Sequence, residues 1–393
     1  MGAASAPRVA IVHDWLTGVR GGEKVLDAIC EIYPQAAIRT LVRGGRGALS
    51  PALASRSIRA SAAQWLPMAG RLHRQYLPLF PTLVEWFDLD GYDLVISSSH
   101  CAVKSVVPAG RAVHVCYCHS PMRYAWDQFG AYFGPGRVGR LPHRALRPVM
   151  ARLARWDRDT AGRVDLFLAN SRYVAGRIRR YYNRGSIVVY PPVDTEFYRP
   201  SDSPRPVDPH FLVVSALVPY KRVDLAVAAC RQAGVRLTVV GNGPDLPRLR
   251  RLGGPDVEFP GWRPDEEIRA LYQQATAVLL PGVEDFGIVP VEAQACGCPV
   301  VALAEGGAAE TVIDGRTGLL AGESSAGAFA DAIRRASRTR FDRADLREHA
   351  LGFSKARFRT AFTAAVDHAL VSRGARAGVR RAGAPAAGSE AHP

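Results

Sequence analysis

The sequence predicts an α/β protein with two doubly wound, Rossmann-like domains that face each other across a cleft. In both halves of the 393-residue chain, short apolar segments of strand length alternate with amphipathic helical segments. A proline-rich stretch, residues 191–209, separates the two halves and indicates a linker. Glycine-rich turns also follow several predicted strands, at the sheet edge where such folds bind ligands. We therefore expect domains at residues 1–204 and 205–353.

Composition indicates an ordinary globular protein, with 48% hydrophobic and 22% charged residues. No apolar run approaches 18 residues, and the N-terminus lacks the pattern of a signal peptide, so we expect a cytoplasmic protein. The seven cysteines include no CxxC pair and are expected to be buried thiols in a reducing compartment. Residues 374–393 are rich in Arg, Ala, Gly and Pro, which predicts a disordered tail.

The net charge of +15 is unevenly distributed. Residues 101–200 carry 17 Lys and Arg against 6 Asp and Glu, whereas residues 251–350 carry 10 against 16. The basic half is therefore expected to face an anionic partner, either nucleic acid or an anionic membrane surface with a lipid phosphate. The arginine-rich segment Arg137–Arg163 is amphipathic and contains Trp156, which fits a membrane surface or the solvated face of a core helix.

Residues 61–87 form a second segment with two open interpretations. They are apolar and aromatic, and prolines at positions 67, 78 and 81 are expected to divide them into short helices. The aromatic side chains could form part of the core or a groove that faces lipid.

The stretch LLPGVEDFGIVPVEAQACGCPVV carries most of the functional information. It predicts a buried strand, a loop and a helix that starts near Gly287. The backbone amides of Gly287, Ile288 and Val289 would point outward from the helix N-terminus and form an anion site. Glu284 on the loop and Glu292 on the helix are placed to hold the hydroxyls of a sugar and a ribose.

Three other strand ends add candidate ligands. Gly21 and Gly22 follow the first strand and open a helix, which suits a phosphate. Lys221 and Arg222 lie at the start of a helix in the second half, where they can neutralise a diphosphate. His119 follows a buried strand of the first half and is a candidate functional histidine.

The spacing of Glu284 and Glu292 within EDFGIVPVEAQACGCPVVA resembles the donor-sugar motif of the retaining glycosyltransferases of family 4. VHDWLTGVRGGEKVL is similar to the N-terminal signature of the bacterial O-antigen mannosyltransferase branch of that family. CYCHSPMRYAWD resembles the segment that carries the family's strand-end histidine. The resemblance covers about residues 8–372 and implies the GT-B architecture, with a helix at 354–373 that crosses back to the first domain.

The resemblance implies a retaining hexosyltransferase, and we expect it to be independent of metal and to need no cofactor. The donor would be a nucleotide sugar, GDP-mannose, and the acceptor a lipid-linked saccharide of cell-surface polysaccharide synthesis. Glu284 would then hold hydroxyls of the sugar and Glu292 those of the ribose, and His119 would contact the sugar from the first domain. Such a protein is expected at the inner face of the cytoplasmic membrane as a peripheral protein.

The resemblance also implies two sets of binding residues. The donor side would comprise Gly21, Gly22, Lys221, Arg222, Trp262, Phe286, Gly287, Ile288, Val289 and Glu292. The acceptor side would comprise Asp14, Arg123 and Tyr124. One departure from the family pattern is Ala216, which stands where an arginine is usual, so either Arg222 supplies the second positive charge or that contact is absent.

Other functions stay open at this point. Asp88-Leu89-Asp90 matches a metal-binding D-x-D motif, but it precedes a strand, and we interpret it as a turn with no metal. A sugar-nucleotide epimerase of the same fold could use His119 and Glu284 as its acid and base. A nucleic-acid-binding protein would fit the charge, but we find no RNP, zinc or helix-turn-helix signature and expect no nucleic acid.

Overall fold

A computed structural model describes residues 7–18, 21–45, 49–203 and 208–382, with the backbone alone at residues 131, 137 and 374–382. In this part of the chain, two parallel sheets form two domains, as the strand pattern predicts. The strands of the first sheet are β1 Val9–Leu16, β2 Ala37–Arg43, β3 Ile58–Ala60, β4 Leu94–Ser99, β5 Val113–Cys118, β6 Leu166–Ala169 and β7 Ile187–Val188. Those of the second are β8 His210–Val214, β9 Arg236–Val240, β10 Val257–Gly261, β11 Ala277–Leu280, β12 Val300–Leu303 and β13 Gly318–Ala321.

Helices cover both faces of each sheet. In the first domain they are α1 Gly21–Ile32, α2 Pro51–Ala54, α3 Ala69–Leu72, α4 Phe80–Glu85, α5 Phe129–Phe133, α6 Pro135–Val138, α7 Arg140–Asp159 and α8 Arg172–Tyr182. In the second they are α9 Val223–Ala233, α10 Leu246–Leu252, α11 Asp265–Gln274, α12 Ile288–Ala295, α13 Ala308–Thr311, α14 Ala326–Arg338, α15 Arg343–Leu351 and α16 Lys355–Ala382.

The strand order determines where ligands can bind. The first sheet has the order β3-β2-β1-β4-β5-β6-β7, and the second has β10-β9-β8-β11-β12-β13. The order therefore reverses between β1 and β4 and again between β8 and β11. Crevices at the carboxyl ends of such strand pairs are the usual ligand sites of open α/β sheets. The carboxyl ends of β1 and β11 carry the glycine-rich loop of α1 and the loop of Glu284, so both switch points hold predicted site residues.

Helix α16 begins in the second domain and packs on the first. Its buried face, which includes Phe358, Phe362 and Val366, joins the core formed by β1, β4 and β5. Tyr117 of β5 contacts the rings of both phenylalanines. The helix continues past Arg373 to Ala382, farther than the sequence suggests, and residues 383–393 of the predicted tail lie outside the described residues.

Three local features refine the sequence-based expectations. The basic segment is interrupted at Gly139, whose φ of 87° ends α6 before α7 begins. The aromatic segment is divided into short helices, as its prolines predict, with Phe80 in the core and Trp65 and Trp86 exposed. β13 was not predicted as a strand. All seven cysteines are buried free thiols, which confirms their expected burial. In the described residues, we find no helix with both the length and the apolar character to span a bilayer.

Candidate active site

A cavity of about 390 Å³ lies between the carboxyl edges of the two sheets and is lined by both domains. The predicted site residues that line it are Gly21, Gly22, His119, Arg123, Tyr124, Lys221, Glu284, Phe286, Gly287, Ile288 and Val289. Because these residues come from distant parts of the sequence, their convergence is a property of the fold. The cavity also contacts Arg74, His100, Tyr220 and Asp285, which the sequence did not single out.

The second-domain wall is built from two loops in close contact. Gly287 has a φ of 83° at the start of α12, a conformation that favours glycine. A side chain at Gly282 would come within 2.8 Å of the Lys221 backbone, so glycine allows the loop after β11 to lie against the Lys221 turn. The Lys221 Nζ consequently forms an ion pair with Glu284. Burial opposes the charge of Lys221, but Glu284 raises its pKa above the ordinary value, so the ammonium is retained.

The first-domain wall is formed by His119 and the glycine-rich start of α1. The His119 Nε2 lies 2.8 Å from the Ser98 Oγ, and Ser98 also contacts His13 at 3.0 Å. A β-carbon at Gly22 would lie 3.8 Å from His13 and 3.9 Å from His119, so a larger residue there would fill space beside both rings. Burial, with a contribution from His100, lowers the pKa of His119 to about 3, and the imidazole is therefore neutral at pH 7.

Glu292 lies behind the cavity wall rather than on it. Its carboxylate is buried and pairs with Lys24 of α1 at 3.0 Å. Lys24 is also 3.1 Å from Asp265, and the Tyr272 hydroxyl donates to Glu292 at 3.3 Å. Burial would lower the pKa of Lys24, but Glu292 and Asp265 together raise it. The predicted ribose ligand is thus already paired with a cation of the other domain.

Asp285, the neighbour of Glu284, joins the two domains. Its carboxylate pairs with Arg123 and accepts a hydrogen bond of 2.6 Å from Arg177 of α8. The Ser171 hydroxyl donates to the Asp285 backbone oxygen at 2.5 Å. Burial alone would raise the pKa of Asp285, but the two arginines lower it below its ordinary value. Arg123 is therefore held at the cavity as a positioned cation.

A second carboxylate contact joins the domains at the start of α8. The Glu310 carboxylate accepts hydrogen bonds of 2.8 Å from the backbone amides of Arg172 and Tyr173. It also accepts one of 3.0 Å from the Tyr190 hydroxyl. An acidic group is favoured at a helix N-terminus, so this contact from α13 orients α8 and its Arg177 toward Asp285.

Besides Glu292, three predicted site residues do not line the cavity. Asp14 is fully buried, and its carboxylate accepts hydrogen bonds of 2.7–3.0 Å from the backbone amides of residues 100–103, so it shapes the His100 loop. Arg222 extends toward Asp224 and Ser324, each 3.4 Å away, and does not supply a cavity charge. Trp262, on the loop after β10, is 67% exposed and is not part of the cavity lining.

The Asp88–Asp90 motif also lies apart from the cavity. It precedes β4, at the amino edge of the first sheet, and lines a separate cavity of about 440 Å³ beside Arg8 and Arg39. The Asp90 amide donates to the Asp88 carboxylate at 3.2 Å, a contact of a tight turn, as the sequence predicts.

The main residues that sequence reasoning missed are Lys24, Ser98, Arg177 and Asp285. Lys24 and Asp285 lie inside quoted motifs, VRGGEKVL and EDFG, and their charged side chains within a glycine-rich signature were an available signal. Ser98 and Arg177 lie in an ordinary strand and an ordinary helix. Their roles come from partners 85 and 108 residues away, which a single sequence does not reveal.

The cavity walls combine cations, outward-pointing amides and neutral hydrogen-bonding side chains. Lys221, Arg123 and the N-terminal amides of α1 and α12 form a suitable environment for a diphosphate. Two facing Rossmann-like domains with such a site between them define the GT-B class of fold.

Comparison with known proteins identifies the two domains. Residues 19–197 match the family model described as Glycosyltransferase Family 4. Residues 194–352 match the model described as Glycosyl transferases group 1. The chain therefore contains a Glycosyltransferase Family 4 domain followed by a Glycosyl transferases group 1 domain.

Curated relatives match part of the chain. The D-inositol 3-phosphate glycosyltransferase of Mycobacteroides abscessus is 34% identical over 242 residues, which cover 55% of this chain and 53% of that protein. The protein of the same name from Mycobacterium tuberculosis is 36% identical over 170 residues, covering 37% and 35%. The chain thus spans about half or less of the length of these relatives.

Solved structures share the fold at low sequence identity. HepE of Anabaena, in complex with UDP, has a TM-score of 0.68 and 20% identity, covering 92% of this chain and all of that one. The same protein in complex with UDP-glucose has a TM-score of 0.66 and 19% identity, covering 92% and 99%. The sucrose-phosphate synthase of Thermosynechococcus elongatus has a TM-score of 0.68 and 18% identity, covering 93% and 100%.

Proposed function

We propose that this protein transfers mannose from GDP-mannose to a lipid-linked saccharide, with retention of the anomeric configuration. The observation that carries this proposal is the cavity between the domains, which Lys221 of the second domain lines together with Arg123 and His119 of the first. The relatives' names as glycosyltransferases, and the UDP and UDP-glucose complexes of HepE, support a nucleotide-sugar donor.

The chemistry of transfer fits this set of residues. Departure of a nucleoside diphosphate develops negative charge on a phosphate oxygen. Lys221, Arg123 and the amides of Gly287, Ile288 and Val289 are fixed in place before that charge appears. Such preorganised donors stabilise a leaving group without reorganisation during the reaction. Glu284, held by Lys221, would bind hydroxyls of the sugar.

Metal independence belongs to the same proposal. The leaving diphosphate would be neutralised by side-chain cations and amides, and the D-x-D motif lies at the opposite edge of the sheet from the cavity. Transfer should therefore continue in the presence of EDTA. A strict requirement for Mg²⁺ or Mn²⁺ would contradict this part of the proposal.

A second acceptor is supported by the relatives. Their name specifies D-inositol 3-phosphate, and the first-domain side of the cavity carries the cations Arg74 and Arg123. Either a lipid-linked phosphate or a phosphorylated polyol would meet these arginines with the same charge complementarity. The acceptor assay therefore has one arm for each.

Contact with an anionic membrane surface would bring the cavity to a lipid-linked acceptor. The exposed side of α7 carries six arginines, at positions 140, 144, 147, 152, 155 and 158. Leu141 near its start is 79% exposed, and Trp86 beyond the end of α4 is 71% exposed. An ion pair of 2.7 Å between Arg163 and Glu85 places the end of the basic segment beside α4. Together these features combine positive charge with exposed apolar anchors.

Liposome binding tests the membrane contact. Reversing Arg144, Arg147 and Arg155 to Glu should weaken binding to anionic vesicles, and added salt should weaken binding of the wild type. Reversal of three arginines outside this surface, Arg250, Arg334 and Arg357, provides a matched change of charge. Equal loss in both variants, or no loss in the first, would contradict a specific contact through α7.

Transfer itself is tested with isotope-labelled GDP-mannose or UDP-glucose. The protein is incubated with each donor and either a membrane lipid extract or D-inositol 3-phosphate, and products are identified by mass spectrometry and by the anomeric NMR signal. We expect a hexose-bearing lipid product from GDP-mannose with the donor's anomeric configuration. A product formed on inositol phosphate would select the second acceptor, and inversion would refute retention. Epimerised sugar nucleotide without a transfer product would contradict the proposal.

A further inference from the structure

Two histidines and one serine form a hydrogen-bonded cluster at the first-domain wall of the cavity, and the ring of a third histidine lies beside them. His13 lies on β1, and His100 and His119 follow β4 and β5. The centroids of the three rings are 5.8–6.4 Å apart. Ser98 on β4 is fully buried, with its Oγ 3.0 Å from the His13 Nδ1 and 2.8 Å from the His119 Nε2.

The serine restricts where the protons can lie. A hydroxyl donates one hydrogen bond, so Ser98 can donate to one of the two imidazoles and must accept from the other. If His13 accepted, its own proton would lie on Nε2. That atom is buried and has no hydrogen-bond partner among the described residues. An unpaired buried N–H is costly, and an unpaired lone pair costs less. His13 is therefore the donor at the Nδ1 position, and Ser98 donates to His119.

The direction of these bonds determines the form of His119. Its Nε2 accepts from Ser98, so the proton of the neutral ring must lie on Nδ1. Burial keeps both rings neutral by lowering the pKa of His13 and of His119 to about 3. His119 lines the cavity, and within the described residues its Nδ1 has no protein partner. The remaining N–H of His119 is thus available to a ligand.

We propose that His13 and Ser98 are positioning residues that hold His119 in its Nδ1–H form, as a hydrogen-bond donor to a hydroxyl oxygen of the transferred sugar. The identity of this ligand rests on the proposed function. The proton arrangement does not, because it follows from bonds within the protein without ligand.

The same sheet provides an internal reference. The His114 Nε2 lies 2.8 Å from the Ser97 Oγ, and its Nδ1 lies 3.0 Å from the Arg163 backbone oxygen. A carbonyl can only accept, so His114 must carry its proton on Nδ1 and accept from Ser97. Ser97 and Ser98 are neighbours on β4 and point to opposite faces of the sheet. His114 therefore has the form that we propose for His119, but it lies away from the cavity.

Nitrogen NMR of the full-length protein, labelled with ¹⁵N-histidine and without ligand, tests the proton arrangement. At pH 7, His119 and His114 should both show a protonated Nδ1 and an unprotonated Nε2. Ser98→Ala should move the His119 proton toward Nε2, and Ser98→Thr, which keeps the hydroxyl, should not. Ser97→Ala should alter His114 alone. A wild-type His119 protonated on Nε2 would overturn the proposal, and this measurement does not require that Ser98→Ala folds. An unchanged His119 signal in folded Ser98→Ala would also overturn it.

Calorimetry with GDP-mannose and with bare GDP tests the ligand contact. Ser98→Ala should weaken binding of GDP-mannose by about 2- to 12-fold, the range for one neutral hydrogen bond, and should leave GDP binding unchanged. Ser97→Ala should affect neither. Equal loss of both ligands in Ser98→Ala would show a general disturbance and contradict a sugar contact. A wild type that binds neither ligand would contradict the proposed donor, while the NMR spectra still decide the proton arrangement.

Discussion

Lys24 of α1 lies 3.0 Å from Glu292 of α12 and thereby joins the first domain to the second. The Glu292 carboxylate is buried, and its second oxygen accepts from Tyr272. A ribose that binds Glu292 must therefore replace or share a contact that the protein already makes. Occupancy of the proposed ribose site would therefore compete with this contact between the domains.

Lys24→Met removes that competing cation. We expect GDP to bind up to about tenfold more tightly, because its ribose no longer displaces an ammonium, a change of ~1.4 kcal/mol. The unfolding free energy should fall because a buried carboxylate loses its partner. We expect a loss of about 2 kcal/mol, less than for a fully buried pair, because Lys24 is itself partly exposed. Lys355→Met, which removes the exposed pair with Asp194, is the matched control. Weaker GDP binding in Lys24→Met would show that Lys24 supports the donor site.

The two glutamates should differ in their kinetic roles. Glu284 lines the cavity, so Glu284→Gln should chiefly lower kcat through loss of a hydroxyl contact that tightens in the transition state. Glu292 lies deeper, and Glu292→Gln should chiefly raise KM and the Kd for GDP. A charged hydrogen bond is worth roughly 1.5–3 kcal/mol, which corresponds to losses of about 10- to 150-fold. Comparable loss of GDP affinity in both variants would refute this division.

Asp285→Asn should loosen the contact between the domains. The carboxylate holds Arg123 and Arg177, and removing its charge leaves the half-buried Arg123 without its carboxylate partner and the buried Arg177 with Asp127 alone. We expect a loss of about 3 kcal/mol in stability and a lower thermal midpoint. Asp345→Asn removes an exposed pair with Arg316 and should leave the midpoint unchanged. Equal midpoints for wild type and Asp285→Asn would contradict a role in domain contact.

Two buried histidines predict a pH dependence of stability. Burial lowers the pKa of His13 to about 3 and that of His114 to about 4, from an unfolded value of 6.5. Below pH 6.5 the unfolded chain binds protons that the folded chain excludes, so stability falls as the pH drops toward these values. Each histidine should remove about 2 kcal/mol between pH 7 and pH 5, measured by urea denaturation. His13→Asn should reduce this dependence, and an equal stability at both pH values would refute it.

The sequence predicted the sheets and most of the second-domain wall for local reasons. Strands buried on both faces appear as apolar runs in the sequence. A glycine such as Gly287 marks a helix start at which the backbone adopts a positive φ. Asp14 was misplaced because its four amide partners lie 86–89 residues away. Arg222 was misplaced because its own backbone is left-handed, with a φ of 51°. Its side chain therefore points in a different direction from that of Lys221. The ion pairs of Lys24 and Asp285 depend on how the two domains meet, which no local pattern encodes.

Titration of GDP and UDP into the wild type, Lys221→Met and Arg222→Met tests most directly whether the cleft binds the diphosphate of a nucleotide sugar. Lys221 lines the cavity, and its neighbour Arg222 does not, so the pair separates a specific contact from a general loss of charge. We predict that the wild type binds GDP, that Lys221→Met weakens binding by about 10- to 150-fold, and that Arg222→Met leaves it unchanged. No binding of either nucleotide to the wild type, or equal affinity in Lys221→Met, would contradict a donor site in this cleft.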